Sequence, residues 1–146
     1  MEEVRKILVV SRMSPHCKKA IHYGVSLARK YGAELFVIHV VHNPFGRKGW
    51  SLPTISLEEE YKKILKDAKA ELDRIIAAEQ ATGLPIVELI KEGDPTGEIL
   101  KTVHDENIDL LIMLAHEEGR LEHLVFGRSN EDLVRKMPCS IMLVRK

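Results

Sequence analysis

The chain has 146 residues, with 22 Lys and Arg balanced by 22 Asp and Glu, and 45% of it is apolar. That length suits one domain spanning residues 1–146 with a sizeable core, and the balanced charge leaves no excess of cations to neutralise a nucleic-acid backbone. No apolar run approaches membrane-spanning length, and the opening "MEEVRKILVV" enters a strand-like run without the pattern of a signal peptide, so the expected compartment is the cytoplasm.

In chain order, "KILVVS" (6–11) is a continuous, β-branched run that reads as a strand buried on both faces. Ser14 and Pro15 suit the N-cap and first position of a helix with apolar or small residues at 20, 21, 24, 27, 28 and 31, and Gly32 suits its end. "AELFVIHVV" (33–41) is a second buried strand. Residues 42–56, with two Gly, two Pro, Phe45 and the only Trp, Trp50, follow no period and read as a long surface loop. A helix is expected from Leu57 to about Ala81, with Tyr61, Ile64, Leu65, Ala68, Leu72, Ile75 and Ile76 on one apolar stripe, ended by Gly83. "PIVELI" (85–90) is a third strand. Asp94 and Pro95 open a third helix as N-cap and first residue. "IDLLIML" (108–114), a short helix around 129–137 and "CSIMLVRK" (139–146) complete the chain.

Buried strands alternating with helices specify an α/β fold, a parallel sheet with helices on both faces. Ligands of such sheets bind beyond the strand C-termini, where the strand order reverses. Candidate ligand residues therefore follow the first strand (Arg12, Met13), the second (Val41, His42) and the fourth (Ala115 to Ser129).

Three stretches together carry a resemblance. "KILVV…S…KKAIHYGVSLARKYGAELFVIHVV", "EGDPTGEILKTVHDENIDLLIML" and "LVRKMPCSIMLVRK" resemble, in order and spacing, the universal stress protein family over nearly the whole chain. The resemblance implies a five-stranded sheet of order 3-2-1-4-5 and a homodimer paired through the last strand. It also implies a division between members that bind ATP and members that do not. Binding members carry G-x2-G-x9-G-[ST] after the fourth strand. Aligned on "MPC" and Gly127, the matching positions here are Leu114, Glu117, Gly127 and Arg128, so only one of four residues is kept. The Asp that binding members place after the first strand falls on Arg12, whereas the valine of the second strand is kept as Val40 in His39-Val40.

A phosphate loop relies on glycine, because only a bare backbone lets N–H groups approach oxygen closely. Leu114 adds a branched side chain and Glu117 a negative charge where the nucleotide would lie. ATP is therefore disfavoured, and no cofactor is expected. Arg12 and Arg128 should face one crevice, with Ser129 offering a hydroxyl one position late. The two arginines either form an anion site or are closed off by ion pairs with Glu117 or Glu118.

Other constellations carry less. His116 and His123 lie in a loop and do not form H-E-x-x-H, so no metal is expected. Cys17 and Cys139 lie in no C-x-x-C pattern and read as reduced core residues. Phe45 and Trp50 suit either a partner-binding patch or a loop anchored over the core. No nucleophile–base pair is readable. The expected function is a non-catalytic stress-response or regulatory protein, a homodimer through Ile141, Met142, Leu143 and Val144 with an unknown protein partner. The alternative is a sensor that holds a nucleotide or another anion between Arg12 and Arg128.

Overall fold

A computed structural model describes residues 3–12, 17–41, 55–80, 83–115 and 128–145. Its elements run β1 (Lys6–Val10), α1 (Cys17–Tyr31), β2 (Glu34–Val41), α2 (Ile55–Gln80), β3 (Ile86–Glu92), α3 (Pro95–Asp105), β4 (Leu110–Leu114), α4 (Arg128–Lys136) and β5 (Ser140–Val144). The strands form one parallel sheet of order β3-β2-β1-β4-β5, the expected order. The reversal falls between β1 and β4, so this single-domain α/β fold opens its crevice there.

Strand alternation divides the core in two. Ile7 and Val9 of β1 face Ala20, Ile21, Val25 and Ala28 of α1 and Leu72, Ile75 and Ile76 of α2. Leu8 and Val10 face Ile99 and Val103 of α3 and Leu133 of α4. β1 is buried on both sides because helices cover both, and each fully buried Leu or Ile contributes about 1.5–3 kcal/mol. Helix α1 lies close because Gly24 lacks a side chain: a Cβ there would stand 2.5 Å from Val9 Cγ2 and 3.2 Å from Leu35 Cδ1.

Capping follows the sequence where it is described. Asp94 has extended backbone angles, and its carboxylate accepts from Gly97 N–H at 2.9 Å, with Pro95 opening α3. Gly32, at φ +64, ends α1, and Ala33 N–H donates to Ala28 C=O at 2.9 Å. The proposed cap of α1 at Ser14 and Pro15 lies outside the described residues.

Several expectations need correction. Tyr31, placed on the apolar face of α1, is 59% exposed, while Cys17 and Val25 are buried. The buried face is centred on 17, 21, 24 and 28, and Tyr31 falls at the helix end. Helix α2 begins at Ile55, not Leu57, and Ile64 of its apolar stripe is 54% exposed. Its 26 residues span about 39 Å, whereas the seven of β3 span about 23 Å. Among the described side chains of α2, full burial is accordingly confined to Leu72, Ile75 and Ile76 in the second half. The third strand is not buried on both faces: β3 is an edge, and Val87 is 44% exposed. It runs on to Glu92, paired with Val41, because charged Lys91 and Glu92 are tolerated on an edge. β4 starts at Leu110, two residues late. Ile108 N–H returns to Val103 C=O at the end of α3, and the Asp109 carboxylate accepts from the backbone N–H groups of Arg5 and Lys6, each at 2.9 Å.

Candidate functional site: the crevice between β1 and β4

Past the end of β1 the chain stays in register for one residue, with Ser11 N–H donating to Ile38 C=O at 2.8 Å. Ser11 is 2% exposed, and its hydroxyl has no hydrogen-bond partner among the described residues. Its carbonyl accepts from His39 Nδ1 at 2.9 Å. A carbonyl cannot donate, so Nδ1 carries the proton in this arrangement. Burial holds the His39 imidazole below its usual range, and the bond to Ser11 acts in the opposite direction.

The next residue, Arg12, is half-buried and reaches across the reversal point. Its backbone N–H donates to the sulfur of Cys17 at 3.0 Å, and Cys17 is fully buried at the start of α1. Its guanidinium Nη2 donates to Asn130 Oδ1 in a close contact. Asn130 Nδ2 in turn donates to the carbonyl of Leu114 at 3.0 Å. One amide thus uses both ends to tie β1, β4 and α4 together. Asn130 is 8% exposed, so neither bond is readily exchanged for water.

Of the sequence candidates, Arg12 and the backbone of Leu114 are brought together here. Val40 lies two residues past Ile38, the partner of Val10, so its backbone runs beside that of Arg12, while its side chain, 8% exposed, packs under α3 and α4 and the Leu114 side chain packs on the α1 face of the sheet. Arg128 and Ser129 open α4, two and one positions before Asn130, which places their backbone at the same strand ends. Their side chains, together with Glu117, Glu118, Gly127, Met13, His42, His116, His123, Phe45 and Trp50, lie outside the described residues. The pairing expected between Arg12 and Glu117 or Glu118 falls there too.

Sequence reasoning missed Asn130. A signal was present, since Asn130 and Leu133 stand three apart in a helix and so share a face, and Leu133 is fully buried. A polar residue on that face needs an internal partner, and Arg12 and Leu114 supply it.

Elsewhere, Cys17 and Cys139 are free thiols. Burial, followed by the negative charge of Asp109, pushes the half-buried Cys139 thiol up, against a backbone hydrogen bond at Leu111 that lowers it. Among the described residues, no three His, Cys, Asp or Glu are grouped to hold a metal, and no helix is long and apolar enough to cross a membrane.

A family model described as the Universal stress protein family matches residues 3–145. A universal stress protein of Methanothermobacter thermautotrophicus is 28% identical, covering 99% of this chain and 98% of that one. Among solved structures, the universal stress protein UspA from Lactobacillus plantarum superposes with a TM-score of 0.78 at 19% identity, over 99% of this chain and 100% of its own. Two further structures are described as complexes. One is a universal stress protein with cAMP, with a TM-score of 0.71, 14% identity and 98% of each chain covered. The other is from Archaeoglobus fulgidus with dAMP, with a TM-score of 0.68, 14% identity and 98% of each chain covered. The crevice at the β1/β4 reversal, the strand order and a family match over all but the chain's ends agree: the chain belongs to the universal stress protein family.

Proposed function

We propose that this protein is a non-catalytic stress-response or regulatory member of its family that works as a homodimer through protein contacts and does not hold ATP. The observation that carries this reading is the bridge from Arg12 through Asn130 to the Leu114 carbonyl. It commits one guanidinium N–H of Arg12 and both ends of the Asn130 amide to the protein's own hydrogen bonds at the ends of β1 and β4, which leaves fewer donors there for an incoming phosphate. Leu114 and Glu117 add to the obstacle. At about 4 Å and an effective dielectric near 20, two like charges repel by about 4 kcal/mol, against about 8 kcal/mol for a micromolar complex.

His39 directs its Nδ1 proton to the Ser11 carbonyl and not to the hydroxyl, which does not suit it to act as a base for that hydroxyl. The free thiols of Cys17 and Cys139 fit the reducing cytoplasm. Edge strand β5 supports the dimer. Leu143 is 51% exposed and Ile141 and Met142 are partly exposed, while the Val144 side chain, at 3%, is already covered within one protomer. Apolar edges of this kind are normally paired.

Titration calorimetry with ATP and Mg²⁺ is the direct test, and the expected affinity is high micromolar or weaker. Low-micromolar binding would overturn the reading. Sedimentation at tens of micromolar should give a dimer, and Leu143→Asp a monomer. A monomeric wild type would remove the homodimer from the proposal.

A second reading, a nucleotide or anion sensor, has its own support. Arg12 and the buried Ser11 hydroxyl stand at the same strand ends, and two structural neighbours are complexes with cAMP and dAMP. Parallel titrations with cAMP, dAMP and inorganic phosphate separate it from the first.

A further inference from the structure

Helix α1 carries four Lys and Arg and no acid, although the whole chain is neutral. The longer α2, by contrast, carries seven acids against five bases. Lys18 and Lys19 stand in the first turn of α1, where the helix dipole disfavours positive charge and no acidic residue compensates. Among the described residues Lys18, Lys19, Arg29 and Lys30 make no ion pair. Among the described residues, the acid that α1 engages in an ion pair is Glu79, 3.6 Å from His22. Positive charge is therefore concentrated on this helix, at a cost at Lys18 and Lys19, whereas Arg29 and Lys30 in the last turn suit the dipole.

Helical spacing sorts the exposed side of α1 into two adjacent rows. Lys18, His22, Ser26 and Lys30 form a polar, basic row, and all four are exposed. Lys19, Tyr23, Leu27 and Tyr31 form the second. Tyr23 is 40% and Tyr31 59% exposed, with Leu27 partly buried between them. Each row is roughly 18 Å long; Lys18 and Lys19 start the two rows and Lys30 ends the first, while Tyr23, Leu27 and Tyr31 run along the second.

We propose that this face of α1 docks an acidic protein segment, one with carboxylates at its two ends and apolar side chains between. The inference rests on the reading that the protein acts through protein contacts, and it names the surface. Charge complementarity selects an acidic partner. The apolar row selects a peptide over a nucleic-acid strand, whose phosphates repeat too evenly to leave the middle of the face uncharged.

The test uses the full chain and a dye-labelled peptide of about eight residues, long enough to span the rows when extended. It carries Asp-Glu pairs at both ends and Leu-Phe at its centre, and binding is read by fluorescence anisotropy. Wild type should bind, and added salt should weaken binding. Lys18→Glu with Lys19→Glu should weaken it about tenfold while raising the melting temperature, because both changes favour the helix dipole. Loss of affinity together with a gain in stability cannot come from misfolding. Tyr23→Ser with Tyr31→Ser should weaken binding about fivefold. Lys62→Glu with Lys63→Glu, on the exposed surface of α2, should leave it unchanged.

The proposal is overturned if wild type does not bind, if the α1 charge reversal has no effect, or if the α2 pair matters equally. It is overturned as well if a single-stranded oligonucleotide or anionic lipid vesicles bind more tightly than the peptide, or if the α1 variants change self-association instead. None of these variants replaces a residue of the bridge from Arg12 through Asn130 to Leu114. A failed peptide titration beside absent ATP binding removes the α1 surface and leaves the functional reading standing.

Discussion

Replacing Asn130 by Ala is the sharpest probe of the crevice. The side chain is 8% exposed and makes two hydrogen bonds, one from the Arg12 guanidinium and one to the Leu114 carbonyl. A bond involving a charged group contributes about 1.5–3 kcal/mol and a neutral one about 1 kcal/mol. Arg12 is only half-buried, so water replaces part of its lost partner. The expected loss is therefore about 2 kcal/mol. For a chain of this size that is a fall in melting temperature of about 6 °C.

Urea unfolding followed by circular dichroism measures the loss directly, and a thermal scan checks it. A double-mutant cycle with Arg12→Ala should give a coupling of about 1 kcal/mol, within the range for residues in one network. Removing Asn130 releases one guanidinium N–H of Arg12 to donate to an anion. Phosphate at ten times its dissociation constant should then recover about 1.4 kcal/mol in the variant and little in wild type, at constant ionic strength. A loss below about 0.5 kcal/mol, the scatter of ordinary surface substitutions, would show that the bridge does not hold the strand ends and that the crevice is open in the folded protein.

Three further outcomes follow from the geometry. Gly24→Ala places a methyl 2.5 Å from Val9 Cγ2 and should destabilise by about 1–3 kcal/mol, and an unchanged urea midpoint would show that α1 does not lie so close to β1. Met137 ends α4 at φ +42 and is 58% exposed, so Met137→Gly should relieve left-handed strain and add about 1 kcal/mol at little cost in contacts, a gain that the same urea titration would detect. Burial lowers the His39 pKa in the folded state, so the unfolded chain binds the proton more readily. Stability is then fully present above the unfolded value near 6.5 and falls as pH drops below it toward the folded value. His39→Gln should flatten that slope, and an unchanged pH profile would remove His39 as its source.

Much of the architecture was legible because it is written in local repeats. Continuous apolar runs marked β1, β2 and β4. Asp94 with Pro95 marked the start of α3, and Gly32 the end of α1, since caps are settled by residues only a few positions apart. The departure of Leu114, Glu117 and Arg128 from a glycine loop is also a property of the sequence, readable once family spacing is applied to it.

What the tertiary structure alone decided depends on which elements become neighbours. The apolar stripe of α2 was continuous in sequence, yet Ile64 is exposed because the helix is longer than the sheet it covers. Val40 and Leu114, grouped by family motif, lie on opposite faces because side chains alternate along strands. Asp109 read as part of a strand and instead caps the backbone of Arg5 and Lys6. Arg12 meets Asn130, 118 positions away, a contact that reading it beside Glu117 and Arg128 in sequence does not include. Local propensity is set by neighbours three or four residues apart. A contact over 118 positions exists only once parallel pairing of β1 with β4 has brought the start of α4 to the end of β1, and no periodicity in the chain encodes that.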